Sequence, residues 1–473
     1  MSIKIGLEIH CQLTGLQSKL FCACPSDYRG KPPNANVCPV CLGLPGTLPL
    51  LNKKALEYAV MIALALNCKI PDTVMFYRKN YFYPDLPKNF QITQYNSHQI
   101  SSIGSEGAVE VDHKKVRIRR VQLEEDPGRL VYEGGMETSL YTLVDYNRAG
   151  VALVEIVTEP DFEDPKDVRI FLNKLTSVLE HLGVCDTKLE GAVRCDANVS
   201  LADGKKVEIK NVGSFKEVEK ALMFEISRQK SLGIKGIEVK AETRHWDDVR
   251  RITIQSRTKE EEQDYRYFPE PDIPAVSLGS ELINSITEKM PELPDARKIR
   301  FIEKFGLSEQ TAQVLIDSKE MADFFEESIK AYSNAREIAN WIVTDMKGFI
   351  DEVDSINSLE IKPAHIAELA KLVDQSIISR HSAKQILQQM VKSGEMPLEI
   401  MKKDESTKIS DVQALTEIVD EVFAMETDAV QDALKNEKAI NFLLGKVIQS
   451  TKGRADPKLA TELIRKKLAS ISV

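Results

Sequence analysis

The sequence predicts an α+β protein, a β-rich first part followed by helices. Three observations carry this. Up to about residue 275, alternating apolar and polar runs recur between turns of Gly, Pro, Asn and Asp. Beyond about residue 280 the apolar residues return at three- and four-residue spacing instead, almost to the end. Pro291 and Pro294 stand at the change, and the polar stretch from Lys402 to Lys408 interrupts the helical pattern a second time. The expected divisions are residues 1–290, 291–403 and 404–473, with no internal repeat and no low-complexity tract.

The first strand covers Lys4 to His10, with Ile5, Leu7 and Ile9 on one face and Glu8 and His10 on the other. Helical interludes fall near 53–67, 165–182 and 215–232. A hairpin is expected from Val193 to Lys210, turning at Asp203-Gly204. Its apolar residues all need one core, so Arg194, Asp196, Asn198 and Ser200 share a polar face with Lys206, Glu208 and Lys210. In the second part, helices are expected at 295–305, 308–316, 319–331, 333–346, 363–374 and 377–391, with two or more beyond the second linker.

Of 473 residues, 42% are apolar and 29% charged, so the chain can bury several cores. No apolar run approaches the roughly 18 residues that cross a bilayer. The N-terminus enters a strand pattern at once and lacks the features of a signal peptide. A cytoplasmic chain with reduced thiols is expected, with no membrane partner. The net charge of −9 counts against nucleic acid on average, yet residues 440–473 hold seven Lys/Arg against two Asp/Glu, a local charge of +5. The cations are Lys446, Lys452, Arg454, Lys458, Arg465, Lys466 and Lys467. Lys452 and Arg454 are expected in a turn at Gly453, and the tail reads either as an RNA-phosphate contact or as a solvated helix.

Four of the eight cysteines, Cys22, Cys24, Cys38 and Cys41, fall within 20 residues of a loop at about 20–45. In a reducing compartment this spacing fits a structural Zn²⁺ held by four thiolates, although the first pair is closer than usual; four unrelated thiols is the other reading. Cys11, Cys68, Cys185 and Cys195 are isolated and expected to be buried.

The polar strand faces read either as wet surface or as a site for a charged ligand and a metal. Adjacent Glu124, Glu125 and Asp126 repel one another in a solvated turn unless a cation such as Mg²⁺ offsets them. Glu155 interrupts an apolar run and needs a partner, for which Arg148 is a candidate. The segments Arg78 to Asp85 and Asp264 to Asp272 interleave aromatics with Arg, as base stacking and phosphate pairing require, or as a packed loop would. No P-loop, no strand–GxGxxG–helix fingerprint and no Gly-x-Ser-x-Gly elbow is present.

Six motifs now occur in order: Gly6 to His10, Arg78 to Asp85, Leu123 to Asp126, Asp145 to Arg148, Arg194 to Asn198, and Asp264 to Asp272. With these the chain closely resembles the B subunits of glutamyl/aspartyl-tRNA amidotransferases, essentially end to end. The related archaeal E subunits carry a large insert for which 473 residues leave no room. The resemblance implies a cradle similar to the glutamine synthetase/guanido kinase fold, then a helical domain and a small YqeY-like tail. It implies that ATP phosphorylates the side-chain carboxylate of Glu or Asp mischarged onto tRNA, and that ammonia then displaces phosphate. The ammonia would come from an amidase-type A subunit, in a heterotrimer with a small C subunit.

On that resemblance Mg²⁺ would be held by Glu8, His10, Glu124 and Glu125, with Asp196 and Glu208 behind them or at a second metal. An imidazole is an unusual Mg²⁺ ligand, so His10 would orient a water or point to Mn²⁺. Lys79, Arg194, Asn198, Ser200 and Lys210 would bind ATP and its phosphates. Lys446, Lys452, Arg454, Lys458, Arg465 and Lys466 would meet tRNA. Two rivals remain: an ATP-dependent ligase acting on a free amino acid, and a zinc-containing tRNA-binding module without catalysis.

Overall fold

The computed structural model describes residues 2–96, 102–112, 114–134, 139–201, 204–257, 265–353, 355–404, 412–435, 439–451, 455 and 457–471. The backbone divides into two units, Met1–Pro294 and Asp295–Val473. Among the described residues, the first unit is built on an eight-stranded sheet. Its order is Ile252–Arg257, Glu242–Asp247, Val207–Lys210, Val193–Leu201, Ile3–Gln12, Ala152–Thr158, Lys114–Glu125, Gly104–Val111. Neighbours run antiparallel except Val207–Lys210 beside Glu242–Asp247.

One face of this sheet carries Ile5, Leu7, Ile9, Val154, Ile156, Val199 and their neighbours into a continuous apolar interior. Helices Lys53–Ala65, Pro165–His181 and Phe215–Ile234 cover it. Each begins where a side chain satisfies its first free N–H groups: Asn52, Asp164 (followed by Pro165) and Ser214. The first helix lies so close to the sheet edge that a Cβ on Gly104 would stand 2.7 Å from the Ala63 Cβ, and one on Gly107 2.6 Å from the Leu66 carbonyl. Only glycine permits that approach.

The opposite face is polar, and a small sheet of Tyr77–Asn80, Phe90–Thr93 and Phe268–Pro269 packs over it beside Lys114–Glu125. Within Lys114–Glu125 the ladder slips. Ile118 pairs with Thr158 and Arg120 with Val157, so Arg119 is an extra residue, a β-bulge. Glu106 lies opposite it on the next strand, in the left-handed region at φ 52°.

The second unit is helical, with one interior between Phe301 and Met401 and another between Leu415 and Leu468. The helices expected at 295–305, 308–316, 319–331 and 363–374 stand within one residue of those bounds. That expected at 333–346 is Ala335–Asn340 followed by a π turn over Trp341–Asp345. That expected at 377–391 begins at Arg380, because Ser379 caps it, and ends at left-handed Gly394. Ser280–Glu288 adds a helix ahead of Pro291. One correction concerns the second linker, since Pro397–Asp404 carries Lys402 and Lys403 within a helix. The tail adds Val412–Met425, Thr427–Lys435, Ile440–Ser450 and Pro457–Ile471. Lys452, Arg454, Asp203 and Asp264 lie outside the described residues. No described helix is long and apolar enough to cross a membrane.

Candidate active site and metal centre

The polar face of the large sheet forms the floor of a basin of about 820 Å³. Strand alternation turns the polar side chains toward it, and the register decides which of them meet. Arg194, His10, Glu155 and Gln122 lie in one row across four strands. Asp196, Glu8, Val157 and Arg120 lie in the next. Glu208 and Lys210, on the strand beyond, extend the floor. The small sheet contributes Lys79 and Thr93, and four tyrosines, Tyr81, Tyr95, Tyr265 and Tyr267, make a wall. Tyr95 and Tyr267 stack face to face with ring centres 4.0 Å apart, and the Lys79 ammonium sits 4.6 Å from the centre of the Tyr265 ring.

The acids are individually held. Asn198 Nδ2 donates to Glu8 Oε1 at 3.0 Å. Thr93 Oγ1 donates to Glu124 Oε2 at 2.7 Å. Burial, and next the Glu155 carboxylate, push the Glu124 carboxyl above its ordinary range, against His10, Lys79 and the Thr93 hydroxyl. For Glu155 burial acts the same way, but Arg120 above all, with His10 and Lys79, outweighs it and holds the group low. His10 Nε2 stands 3.9 Å from Glu155 Oε1, and Arg120 Nη2 3.5 Å from Glu155 Oε2. Two carboxylates crowded with a third one row away are a donor set that suits a divalent cation with oxygen ligands.

The bases are held as firmly. Arg194 Nη2 donates to Asp126 Oδ1 at 2.8 Å. Gln12 Nε2 donates to Asp126 Oδ2 at 2.7 Å. Burial would raise Asp126, yet Arg194, then Arg148 and Gln12, hold its carboxyl below the ordinary range. Lys210 Nζ donates to Asp196 Oδ2 at 2.8 Å and lies 3.7 Å from Glu208 Oε1. Burial would lower Lys210, but these acids raise it, so it stays an ammonium. Arg194 Nε is buried with no partner among the described residues. The basin thus sets fixed cations around crowded anions, an arrangement that can grip a polyphosphate and a metal together.

Several expectations are corrected. Glu125 does not face the basin with Glu124, because adjacent strand residues point to opposite faces. It is buried on the other side, paired with Lys88 and accepting from the Ile92 N–H at 2.8 Å. Ser200 lies at the strand end, paired with Lys4 and off the basin lining. Asn198 is buried beneath Glu8 and supports that acid. The partners of Glu155 are Arg120 and His10; Arg148 instead binds the Pro127 and Gly128 carbonyls and lies 3.8 Å from Asp126. Arg78 turns away from the basin into a bidentate pair with Glu270 at 2.7 Å. Glu8, His10, Glu124, Asp196, Glu208, Lys79, Arg194 and Lys210 are brought together around the basin.

Sequence reasoning missed Arg119, Arg120, Gln94 and Tyr95, all on the lining. For the arginines a signal existed: the buried residues step Val116, Ile118, then Val121 and Leu123, and the three-residue gap marks the bulge that turns both guanidiniums to the basin. Nothing in the sequence singles out Gln94 or Tyr95, which take their places from strand pairing between distant segments.

The four clustered cysteines form a second site. The Sγ atoms of Cys22, Cys24, Cys38 and Cys41 all lie within 4.8 Å of one another, and none forms a disulfide. The Cys38 N–H donates to Cys41 Sγ at 3.1 Å. Hydrogen bonding from Cys22, and after it from the Cys38 N–H, with Lys19 nearby, lowers the Cys41 thiol to about 5. Such a group could hold a metal. The loop is stitched to the segment Tyr146–Arg148, since Asn147 Oδ1 accepts from the Asn36 N–H at 2.7 Å and Asn147 Nδ2 donates to the Pro32 carbonyl at 2.7 Å. Of the isolated cysteines, Cys11, Cys68, Cys185 and Cys195 are all buried.

In the tail, Lys458, Arg465 and Lys466 lie exposed on the last helix while Ile464 and Leu468 are buried. Ile471, at the end of that helix, is 47% exposed. Lys446 pairs with Glu426 at 2.7 Å and Lys467 with Asp420.

Comparison with known proteins places these features. A family model described as the GatB/GatE catalytic domain matches residues 3–284, and one described as the GatB domain matches 323–468. A protein of Saccharolobus solfataricus, named as the B subunit of an aspartyl/glutamyl-tRNA(Asn/Gln) amidotransferase, is 47% identical over 98% of this chain and 99% of its own. Its namesake in Sulfurisphaera tokodaii is 49% identical over the same shares. That of Thermotoga maritima is 45% identical over 98% of each chain.

Proposed function

This chain belongs to the GatB/GatE family, and on that premise we propose that it is the subunit of a tRNA-dependent amidotransferase that makes the amide. Glu on tRNA(Gln), Asp on tRNA(Asn), or both are the acceptors. The observation that carries the reading is the basin, where Glu8, His10 and Glu124 stand against Lys79, Arg194 and Lys210.

A carboxylate resists attack by ammonia because its oxygen is a poor leaving group. In the first step a side-chain carboxylate oxygen of the charged amino acid attacks the γ-phosphorus of ATP. An oxygen–phosphorus bond forms and ADP leaves. In the second, ammonia attacks the acyl carbon, phosphate leaves with its electron pair, and the nitrogen loses a proton. Transfer of the phosphoryl group needs positioning and neutralisation above all. Arg194 and Lys210, already fixed by Asp126 and Asp196, would meet phosphate oxygens without reorganising. Lys79 would do so from the opposite wall, and Arg119 and Arg120 extend the cationic rim. Glu8, Glu124 and His10 would hold Mg²⁺, or Mn²⁺ given the imidazole, which supplies positive charge at the phosphoryl oxygens. Glu208 and Asp196 position Lys210. The tyrosine wall suits a stacked base, of ATP or of the tRNA end.

The mostly antiparallel sheet with helices on one face fits a cradle like that of glutamine synthetase and guanido kinases, and the last helices fit a YqeY-like tail. Lys446, Lys458, Arg465 and Lys466, with Lys452 and Arg454, would grip the tRNA body. The four cysteines would hold a structural Zn²⁺. Ammonia would come from an amidase-type A subunit, and a small C subunit would complete a cytoplasmic heterotrimer.

The test combines the chain with A-type and C-type subunits, ATP, glutamine and mischarged tRNA. Amide formation is expected, with ATP hydrolysis stimulated by Glu-tRNA or Asp-tRNA and not by free glutamate. Stimulation by free glutamate alone would instead identify a stand-alone ligase. Tight tRNA binding without ATP turnover would identify a binding module.

A further inference from the structure

The side chain of Lys19 is fully buried, one of the largest in the protein to be so. Its main chain is fixed from three sides. The Lys19 N–H donates to the Cys24 carbonyl at 2.9 Å, its carbonyl accepts from Asn52 Nδ2 at 3.3 Å, and the next N–H donates to the Gly150 carbonyl at 2.9 Å. The stem passes beside Gly150, where a Cβ would stand 3.6 Å from the Lys19 Cδ. The ammonium therefore cannot swing out to water. Its partners are the Asn36 carbonyl at 2.8 Å and Cys41 Sγ at 3.9 Å. Among the described residues no carboxylate forms an ion pair with it, whereas Lys88 nearby, part-buried, has Glu125.

A buried charge of this kind is strongly disfavoured unless an opposite charge stands near. Without metal the only opposite charge at hand among the described residues is a single thiolate at Cys41, 3.9 Å away. Four thiolates around a divalent cation carry a net charge of −2, and that anion would lie against the Lys19 Nζ. We propose that Lys19 is the counter-charge of a tetrathiolate metal centre at Cys22, Cys24, Cys38 and Cys41, reducing the buried charge from −2 to −1 and so raising the affinity for the metal. The inference rests on the reading of these cysteines as a metal site. It adds that the site is built for an anionic, all-sulfur complex of a soft divalent ion, because a neutral two-thiolate complex would leave the ammonium unbalanced.

The experiment uses three forms of the full chain: wild type, Lys19→Met, which keeps the stem and loses charge and donor, and Lys19→Gln, which keeps an N–H donor on a stem one bond shorter and loses the charge. Zn²⁺ affinity is measured by chelator competition, and Co²⁺-loaded protein is followed by its sulfur-to-cobalt absorption. Both variants are expected to bind Zn²⁺ more weakly, on the order of 10–100-fold, the range for a lost outer-shell partner. Melting curves with and without metal separate charge from packing. The loss of Tm in Lys19→Met is expected to be larger in the metal-loaded protein than in the metal-free one. Equal losses in both states, or an affinity in Lys19→Gln equal to wild type, would overturn the proposal and leave Lys19 as a packing or hydrogen-bonding residue. A wild-type chain that binds neither metal would remove the metal reading itself, a result distinct from the other two.

Discussion

Glu124 and Glu125 show how much one residue of strand matters. They are neighbours in sequence, yet one faces the basin and the other pairs with Lys88 behind it. Their substitutions should therefore fail differently. Glu8→Gln and Glu124→Gln are expected to leave the fold and tRNA binding intact while single-turnover phosphorylation falls by at least ~10²-fold, as loss of a metal-holding charge in the transition state would cause. Glu125→Gln leaves the part-buried Lys88 without its ion pair and should cost up to about 3 kcal/mol of stability, read in urea melts. Normal phosphorylation in Glu124→Gln would remove that residue from the site. Asp126 adds a pH test. Its carboxyl is held below the ordinary range by Arg194 and Arg148, so the stability it contributes is complete above the unfolded value of about 4 and disappears as pH falls through the lower folded value. Asp126→Asn is expected to be destabilised at pH 7, on the order of 2 kcal/mol, with the gap to wild type closing under acid. A gap that does not change with pH would show that the loss is steric. Alternation in the sequence was enough to give Glu8, His10, Arg194 and Asp196 one face. It also separates Glu124 from Glu125, a consequence that the reading of three adjacent acids as one cluster overlooked.

At the scale of elements, faces are legible and neighbours are not. The strands Ile3–Gln12 and Val193–Leu201 announce their polar sides by period, but their pairing joins segments nearly two hundred positions apart, and no local pattern encodes that Glu8 sits beside Asp196 and His10 beside Arg194. The bulge is the reverse case, written in the spacing of Val116, Ile118, Val121 and Leu123. Helix bounds followed caps: Asn52, Ser379 and Gly394 end or begin elements where side-chain chemistry or a left-handed residue requires it. The cysteine loop is an element of its own, tied through Asn36 to Asn147, and the adjacent Arg148 reaches Asp126 on the basin rim. Removing metal from these cysteines is therefore expected to loosen that rim. Hydrogen exchange in residues 145–150 and 126–128 should quicken on chelation, while exchange in helix Phe215–Ile234 stays unchanged.

At the scale of the whole molecule, the described residues hold three apolar interiors, within residues 5–286, 301–401 and 415–468. A chain with several interiors need not unfold in one step, and calorimetry is expected to resolve more than one transition. The basin stands on the polar face of the sheet that covers the first interior, and the basic tail lies with the last. Deleting residues 405–473 should then spare ATP binding, weaken tRNA affinity, and flatten its dependence on salt, because each lost phosphate contact lowers the slope by about 0.9. Equal affinity and slope with and without the tail would leave it a solvated helix. The division between β-rich and helical parts was legible from a change of period near residue 280. The second linker was placed too early, because Lys402 and Lys403 read as polar loop yet suit the last turn of a helix, where cations oppose the dipole.

The paired extra residues Glu106 and Arg119 also set a rule for length. Removing either one alone would leave the other without a counterpart, a one-sided bulge that breaks the ladder between these two strands. Removing both together would leave Gly104, Gly107, Val116, Ile118, Val121 and Leu123 facing inward as they do now, at the loss of one guanidinium from the rim. Insertions and deletions in this hairpin are thus expected to be tolerated in twos, one on each strand, and relatives that differ in length here should differ by matched pairs.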